Sequence, residues 1–101
     1  MSGGFLAAQD AAFASQTVAY TGTAGSTSTF QPGPNYVLVW CTTAAYVKVG
    51  EGVTATTAST PLPANTPIVM AVPPGTGAPW RVSAIQVASG GNVYAKPGTL
   101  V

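Results

Sequence analysis

Residues 36–50 decide the fold of this chain. They read Tyr36-Val37-Leu38-Val39-Trp40-Cys41-Thr42-Thr43-Ala44-Ala45-Tyr46-Val47-Lys48-Val49-Gly50. Side chains alternate between the two faces of a β-strand, and in residues 36–41 both alternating sets are apolar. This pattern predicts a strand that meets little water on either face, either between two sheets or beneath another subunit. Residues 45–50 alternate between apolar and polar, which predicts an adjacent half-buried strand after a turn at 42–45.

The rest of the chain carries further short strand patterns, at residues 16–20, 68–72, 80–87 and 93–96. Glycine- and proline-rich segments separate them at intervals of about ten residues, as in sandwiches and barrels. No segment after residue 15 has helix-length periodicity, which argues against a fold of alternating strands and helices. The six or seven strands predict an all-β fold, a small antiparallel β-sandwich or barrel that is jelly-roll-like and has an N-terminal arm.

Prolines and small residues predict where strands end. The three prolines at positions 61, 63 and 67 remove three main-chain donors, so this segment cannot be an interior strand. Pro97 and Gly98 are predicted to end the last strand. Residues 21–29 contain only glycine, serine, threonine and alanine, which predicts a loop or a weakly specified edge strand.

The chain divides into an arm at residues 1–15 and a single β-domain at residues 16–101. The arm is alanine-rich, and its large apolar side chains are Phe5, Leu6 and Phe13. Alanine favours a short helix, but the apolar spacing forms no clear stripe. An extended arm that orders against a neighbouring subunit and a frayed terminus are the alternatives.

The composition predicts a protein whose surface is largely covered by other protein. Apolar residues make up 47% of the chain, charged residues 5%, and the net charge is +1. So few charges do little to keep copies apart in solution, so we expect an oligomer or an assembly. The three scattered cations form no basic patch, which argues against nucleic-acid binding. No positively charged leader and no run of about 20 apolar residues is present, so neither export nor membrane insertion is expected.

The side chains available argue against catalysis and against a bound cofactor or metal. The chain contains no histidine and a single cysteine, Cys41, whose place in an apolar strand predicts a buried thiol and which cannot form an intrachain disulfide. Without imidazole, neither Ser-His nor Cys-His activation nor an ordinary zinc site is possible within one chain. The side-chain carboxylates are Asp10 and Glu51, too few for a calcium cage and poorly placed for acid–base chemistry.

Four residues of the β-domain are candidates for binding. Trp80, with Tyr94 and Tyr46, could stack on a sugar ring in a shallow site. The favoured alternative is that Trp80 and Trp40 fill the core between the sheets. Arg81 is a lone arginine in a strand, and we expect it to pair with Glu51 or with a carboxylate on a partner, as arginine is a common interface anchor.

From residue 41 onward the order of motifs resembles a family of small β-rich structural proteins of tailed bacteriophages, over about residues 37–96. The motifs that carry the resemblance are Cys41-Thr42-Thr43-Ala44-Ala45-Tyr46-Val47-Lys48-Val49-Gly50, Thr54-Ala55-Thr56, Pro61-Leu62-Pro63-Ala64 before Ile68, Val72-Pro73-Pro74-Gly75, Val82-Ser83-Ala84-Ile85-Gln86, and a glycine-containing turn into Val93-Tyr94. The loop at 73–80 departs from the family pattern because it is longer than the expected turn.

The resemblance implies a capsid decoration or cement protein that binds the major capsid protein. Such proteins sit on the capsid surface of the virion as trimers or dimers, after synthesis in the host cytoplasm, and the family has no catalytic residues to carry over. Phe5, Leu6 and Phe13 of the arm are then the candidates for reaching a capsid subunit. Another virion component, such as a head–tail, tail or fibre protein, and a virion-displayed carbohydrate-binding module are the alternatives. An enzyme is the least favoured class.

Overall fold

Nine β-strands form within residues 5–7, 13–31, 33–72 and 79–100, the part of the chain that the computed structural model describes. The strands are β1 (Phe5–Ala7), β2 (Gln16–Tyr20), β3 (Gly25–Ser26), β4 (Tyr36–Cys41), β5 (Ala45–Gly50), β6 (Thr60–Leu62), β7 (Ile68–Ala71), β8 (Arg81–Gln86) and β9 (Gly91–Leu100). The strands predicted at 16–20, 36–41, 45–50, 68–72, 80–87 and 93–96 are therefore all present. The loop at 73–80 lies mostly outside the described residues.

The strands form two antiparallel sheets. Sheet A has the order β1-β9-β4-β7, with β2 also paired to β9, and sheet B has the order β3-β8-β5-β6. The pairs β2–β9, β3–β8, β4–β7 and β5–β6 are those of one long hairpin that is rolled up, and β4–β9 and β5–β8 close the roll. This is the strand order of a jelly roll, so the predicted antiparallel β-sandwich is confirmed.

The core lies between the inner faces of the two sheets. Sheet A contributes Val37, Val39, Cys41, Val93 and Ala95, and sheet B contributes Ala45, Val47, Val82 and Ala84, all of them buried. The predominance of valine follows from the architecture, because β-branched side chains pack well on a pleated surface. Trp80 and Phe30 are the largest core side chains beside Tyr20, and an isolated bridge joins their main chains.

The strands β4 and β5 are adjacent in sequence but lie in opposite sheets. The expectation of an adjacent pair is wrong, because β4 pairs with β7 and β9, whereas β5 pairs with β6 and β8. The connection at residues 42–44 crosses the end of the sandwich. The Tyr20 hydroxyl contacts the Thr43 carbonyl oxygen at 2.7 Å and its hydroxyl at 2.8 Å, and the Thr43 hydroxyl donates to the Ser89 carbonyl at 3.0 Å. These bonds satisfy the polar groups of a chain that changes layer without a hairpin turn.

The last strand is longer than predicted. It continues through Pro97 and Gly98, so the prediction that these residues end the strand is wrong. The Thr42 N–H donates to the Asn92 carbonyl at 3.0 Å, which marks the even-numbered residues of β9 as those whose main chain faces β4. The N–H that Pro97 lacks would therefore point away from β4, so no hydrogen bond to β4 is lost. On that side it falls between the end of β2, opposite Ala95, and the end of β1, opposite Gly98.

Proline in the other strands follows the expected rule. Pro61 lies in β6, which is an edge strand of sheet B. Residues 61–67 therefore contribute no interior strand, as predicted, because an edge strand tolerates a missing donor on its free side. Residues 21–29 contain only the two-residue edge strand β3, in agreement with the expectation of a loop or weak edge.

Residues 5–7 of the N-terminal arm are extended and pair with their own chain. Phe5, Leu6 and Ala7 lie opposite residues 100, 99 and 98 of β9, so the short helix is wrong for these three residues. Most of the remaining arm, including Asp10, lies outside the described residues. Whether the arm also contacts a neighbouring subunit stays a prediction.

Candidate functional site

The outer face of sheet A carries a cluster of apolar side chains. Tyr36, Leu38 and Trp40 are the outward residues of β4, and Trp40 is 41% exposed. The alternative that this strand is enclosed between two sheets is therefore wrong for this face, and cover by another subunit stays a prediction. Strand β4 is central within sheet A, between β9 and β7, but sheet B covers only one of its two faces.

Trp40 and Tyr94 form an aromatic stack on this face. They lie directly opposite each other on β4 and β9, with ring centroids 5.0 Å apart and an interplanar angle of 27°. Cross-strand aromatic pairs of this kind contribute about 0.5–1.5 kcal/mol beyond their buried area. Val69 of β7, which is 36% exposed, lies opposite Leu38 and extends the apolar surface toward the sheet edge. We call Tyr36, Leu38, Trp40, Val69 and Tyr94 the outer patch.

A shallow depression of about 240 Å³ lies beside the aromatic stack. Its lining residues are Ser15, Leu38, Trp40, Tyr94, Ala95 and Lys96. The Lys96 ammonium donates to the Phe13 carbonyl at 2.9 Å, which ties the cation to the chain leading into β2. Few polar atoms line the depression, so it suits an apolar side chain of a partner better than a polar ligand.

The three aromatic residues predicted to form a sugar platform do not come together. Trp80 is fully buried in the core, Tyr94 lies on the outer face of sheet A, and Tyr46 is a half-buried residue on the outer face of sheet B. The prediction that a ligand stacks on Trp80 is therefore wrong. The favoured alternative, that both tryptophans fill the core between the sheets, is confirmed for Trp80 and wrong for Trp40, which lies outside the core.

The Trp80 side chain packs against Phe30 with ring centroids 4.8 Å apart. Its indole N–H is buried and has no hydrogen-bond partner within the described part of the chain. An unpaired buried donor costs about 1–3 kcal/mol, which reduces the net gain from burying this ring.

Arg81 braces a loop of its own chain. Its Nε donates to the Val53 carbonyl at 2.8 Å, and a terminal nitrogen lies 3.4 Å from the Thr54 hydroxyl. The Ala55 N–H donates to the Ser83 hydroxyl at 2.9 Å, so this loop folds over the outer face of sheet B. These contacts replace the predicted intrachain pair with Glu51, which is exposed. Pairing of Arg81 with a partner carboxylate stays a prediction.

The large apolar residues of the arm remain candidates for a partner interface. Phe5 in β1 and Phe13 near the start of β2 are both half-buried, and the main chain of Leu6 pairs with Thr99. Phe13 is close to the outer patch, because its carbonyl accepts the hydrogen bond from Lys96. Sequence reasoning placed these residues in a separate arm, whereas the described ones lie along sheet A.

The structure adds no support for a metal or a membrane span. No group of three or more histidine, cysteine, aspartate or glutamate side chains comes together among the described residues. None of these residues forms a helix long and apolar enough to cross a membrane.

The single thiol is buried, as predicted. Cys41 is fully buried, and desolvation raises its pKa from 9.0 to about 11, although a hydrogen bond with Tyr20 lowers the pKa and offsets part of this effect. We expect a thiol reagent at pH 8 to label Cys41 only after denaturant is added, since the thiolate is the reactive form. Rapid labelling of the native protein at pH 8 would contradict this.

The same shift predicts how the Cys41 contribution to stability depends on pH. The unfolded thiol ionises more readily than the folded one, so a pH above 9 favours the unfolded state. The contribution of the Cys41 thiol to the free energy of unfolding is therefore fully present below pH 9 and is lost as pH rises from 9 to about 11. The measurement is the free energy of unfolding of wild type minus that of Cys41→Ala, in which the other titrating groups cancel. A difference that stays constant across this range would contradict the assignment.

Three comparisons with known proteins found no match to this chain. No family model matches it, and neither the curated proteins nor the solved structures contain a significant match. The resemblance to bacteriophage structural proteins therefore stays a prediction.

Proposed function

We propose that this chain is a structural virion protein, a capsid decoration or cement protein that binds and stabilises the lattice of the major capsid protein. The observation that carries the proposal is the outer patch, where a stacked tryptophan and tyrosine lie on an exposed sheet face. Aromatic residues dominate the energetics of protein interfaces, and charged residues are depleted at their centres. No residue of the outer patch is charged, and Lys96 lies beside it on the same face.

Three further features support this role. The motifs over residues 37–96 resemble those of bacteriophage structural proteins, and 5% charged residues is a low share for a protein that works alone in solution. Jelly rolls occur in viral capsid proteins, although they also occur in lectins, so the fold is an analogy only. The proposed role is non-catalytic, and the working state is a homo-oligomer on the capsid surface.

The first test asks whether the protein is part of a particle. Virions produced by the genome that carries this gene are purified, and their proteins are quantified by mass spectrometry. We expect the chain in a fixed ratio to the major capsid protein, and imaging should locate it on the head. Its absence from the particles would overturn the proposal, whereas density at the tail would favour the head–tail, tail or fibre alternative.

The second test asks whether the outer patch makes the contact. Purified Trp40→Ala protein is added to shells that lack this protein, and its affinity is compared with that of wild type. We expect the substitution to weaken binding by about 30-fold, since an interface tryptophan contributes 2 kcal/mol or more. Tyr46→Ala is the matched control, because Tyr46 is an aromatic residue on the outer face of the other sheet. Equal effects of the two substitutions would contradict the assignment of the contact to sheet A.

A carbohydrate-binding module on the virion is the second candidate function. The exposed Trp40–Tyr94 stack favours it, because aromatic faces bind sugar rings. A glycan array decides this candidate: a hit that Trp40→Ala abolishes supports it, and the absence of any hit counts against it.

A further inference from the structure

Among the described residues, the free edge of β7 differs from the edges that β2, β3 and β6 form. In sheet B, β3 is only two residues long and β6 contains Pro61, two features that discourage edge pairing. At the far end of sheet A, the β2 edge is approached so closely by Gly25 that a Cβ there would overlap the Ala19 carbonyl oxygen. Strand β7 (Ile68–Ala71) contains neither a proline nor a charge, and no strand of the described residues pairs with its other side.

The hydrogen-bond alternation shows which main-chain groups line this edge. The Val72 N–H donates to the Asn35 carbonyl at 2.9 Å, in register with the pairing of β7 to β4. Alternate residues of an antiparallel strand turn their main-chain groups to the same side. The groups of Met70 therefore face β4, and those of Val69 and Ala71 face away from it. The free edge presents two N–H donors and two carbonyl acceptors.

We propose that β7 pairs with β7 of a second copy of this chain around a two-fold axis at Met70. Val69 of each copy then lies opposite Ala71 of the other, and the four outward groups of each edge form four main-chain hydrogen bonds. The contact is isologous, so it closes as a dimer and does not propagate. A second copy fits because β7 has no charge to repel its counterpart and the whole chain has a net charge of only +1.

A groove beside β7 accommodates the side chain on the axis. The groove has a volume of about 400 Å³ and lies between β7 and sheet B, where Val47, Val49, Thr60 and Met70 are among its lining residues. In the dimer the second Met70 lies beside the first on the same face of the continuous sheet, at the mouth of this groove. Methionine suits this position because its flexible thioether fills irregular gaps.

The dimer specifies the oligomer of the proposed function but does not depend on a role in a virion. A protein that never bound a capsid would still dimerise through β7. Failure of dimerisation and failure of shell binding are therefore separate results, one measured on the purified protein and the other on particles.

The first experiment measures molar mass by sedimentation and by light scattering over a range of concentrations. We expect wild type at twice 10.0 kDa and Val69→Lys shifted to 10.0 kDa. Dimerisation should weaken by at least about tenfold, because two like charges then lie diagonally across the axis on the same face of the joined sheet. Val87→Lys is the matched control, since it places the same charge at another exposed valine, and it should remain dimeric. A monomeric or trimeric wild type, or equal effects of the two variants, would overturn the proposal.

The second experiment is crosslinking, which does not require Val69→Lys to fold. Met70 faces its symmetry mate as a non-hydrogen-bonded pair, where Cα atoms are about 4.5 Å apart, within the range of a disulfide. Met70→Cys should therefore form a covalent dimer under mild oxidation, whereas Val87→Cys should not. Both variants keep the buried Cys41, so it contributes equally. No excess of crosslinked Met70→Cys over Val87→Cys would overturn the proposal.

Discussion

Trp80→Ala is expected to lower the free energy of unfolding by about 3–5 kcal/mol, the cost of truncating a buried tryptophan. Trp80 is fully buried against Phe30, and the two residues exchange main-chain hydrogen bonds of 2.7 and 3.0 Å. The substitution leaves a cavity between the sheets that short neighbouring side chains such as valine cannot fill. Because domains of this size are stable by only about 5–15 kcal/mol, much of the total is lost.

Trp40→Ala is the matched control for this prediction. It removes the same side chain from a position that is 41% exposed, where the stack on Tyr94 is lost and no internal cavity forms, and we expect a loss of about 1 kcal/mol. Denaturant unfolding measures the free energy of unfolding of each variant. The thermal midpoint should fall by more than about 12 °C for Trp80→Ala and by much less for Trp40→Ala. A Trp80→Ala protein as stable as Trp40→Ala would contradict the burial of Trp80.

Trp80→Phe keeps an aromatic ring in the core and removes the unpaired indole N–H. Phenylalanine retains an aromatic ring against Phe30 and removes the buried donor that has no partner. We therefore expect Trp80→Phe to lose clearly less than Trp80→Ala, because relief of the unpaired donor offsets part of the lost volume. Equal losses in the two variants would contradict the packing of the Trp80 ring against Phe30.

The strands could be predicted from the sequence because their signals are local. Alternation in residues 45–50 and the valine-rich run in residues 36–41 each identify a strand without reference to the rest of the chain. The pairing of these strands could not be predicted, because it depends on partners more than 40 residues away, such as Tyr94 opposite Trp40. A short connection between two strands fits both a hairpin and a crossing between layers.

The candidate site illustrates the same limit. In β4 both alternating sets of side chains are apolar, so the sequence does not say whether Trp40 or Val39 faces the core. In β9 the signal was present: Val93 and Ala95 are apolar, whereas Asn92 and Lys96 share the face of Tyr94 and mark it as outward. Register with β9 then assigns Trp40 to the same face, and that register is known only from the structure.

The second large loss of stability is expected at Gly25, where β3 of one sheet lies close against β2 of the other. A Cβ on Gly25 would overlap the Ala19 carbonyl oxygen and lie 3.0 Å from the Ala19 carbonyl carbon. Both obstacles are main-chain atoms of β2, so neither can rotate away as a flexible side chain does. Gly25→Ala must therefore push β3 away from β2, and we expect a loss of about 3 kcal/mol in the free energy of unfolding.

The loss at Gly25 should extend beyond the clash, because β3 is held by few contacts. Its neighbour Ser26 bonds to the Ser83 hydroxyl at 3.0 Å, and the Thr27 N–H donates to the Val82 carbonyl at 2.8 Å. Hydrogen exchange should then show reduced protection of the Thr27 amide in Gly25→Ala. Gly22→Ala is the matched control from the same connection, since its Cβ would meet only the Gln86 amide nitrogen at 3.7 Å. It should leave stability unchanged or slightly raised, and an equal loss in the two variants would contradict the close approach of β3 to β2 that closes this side of the sandwich.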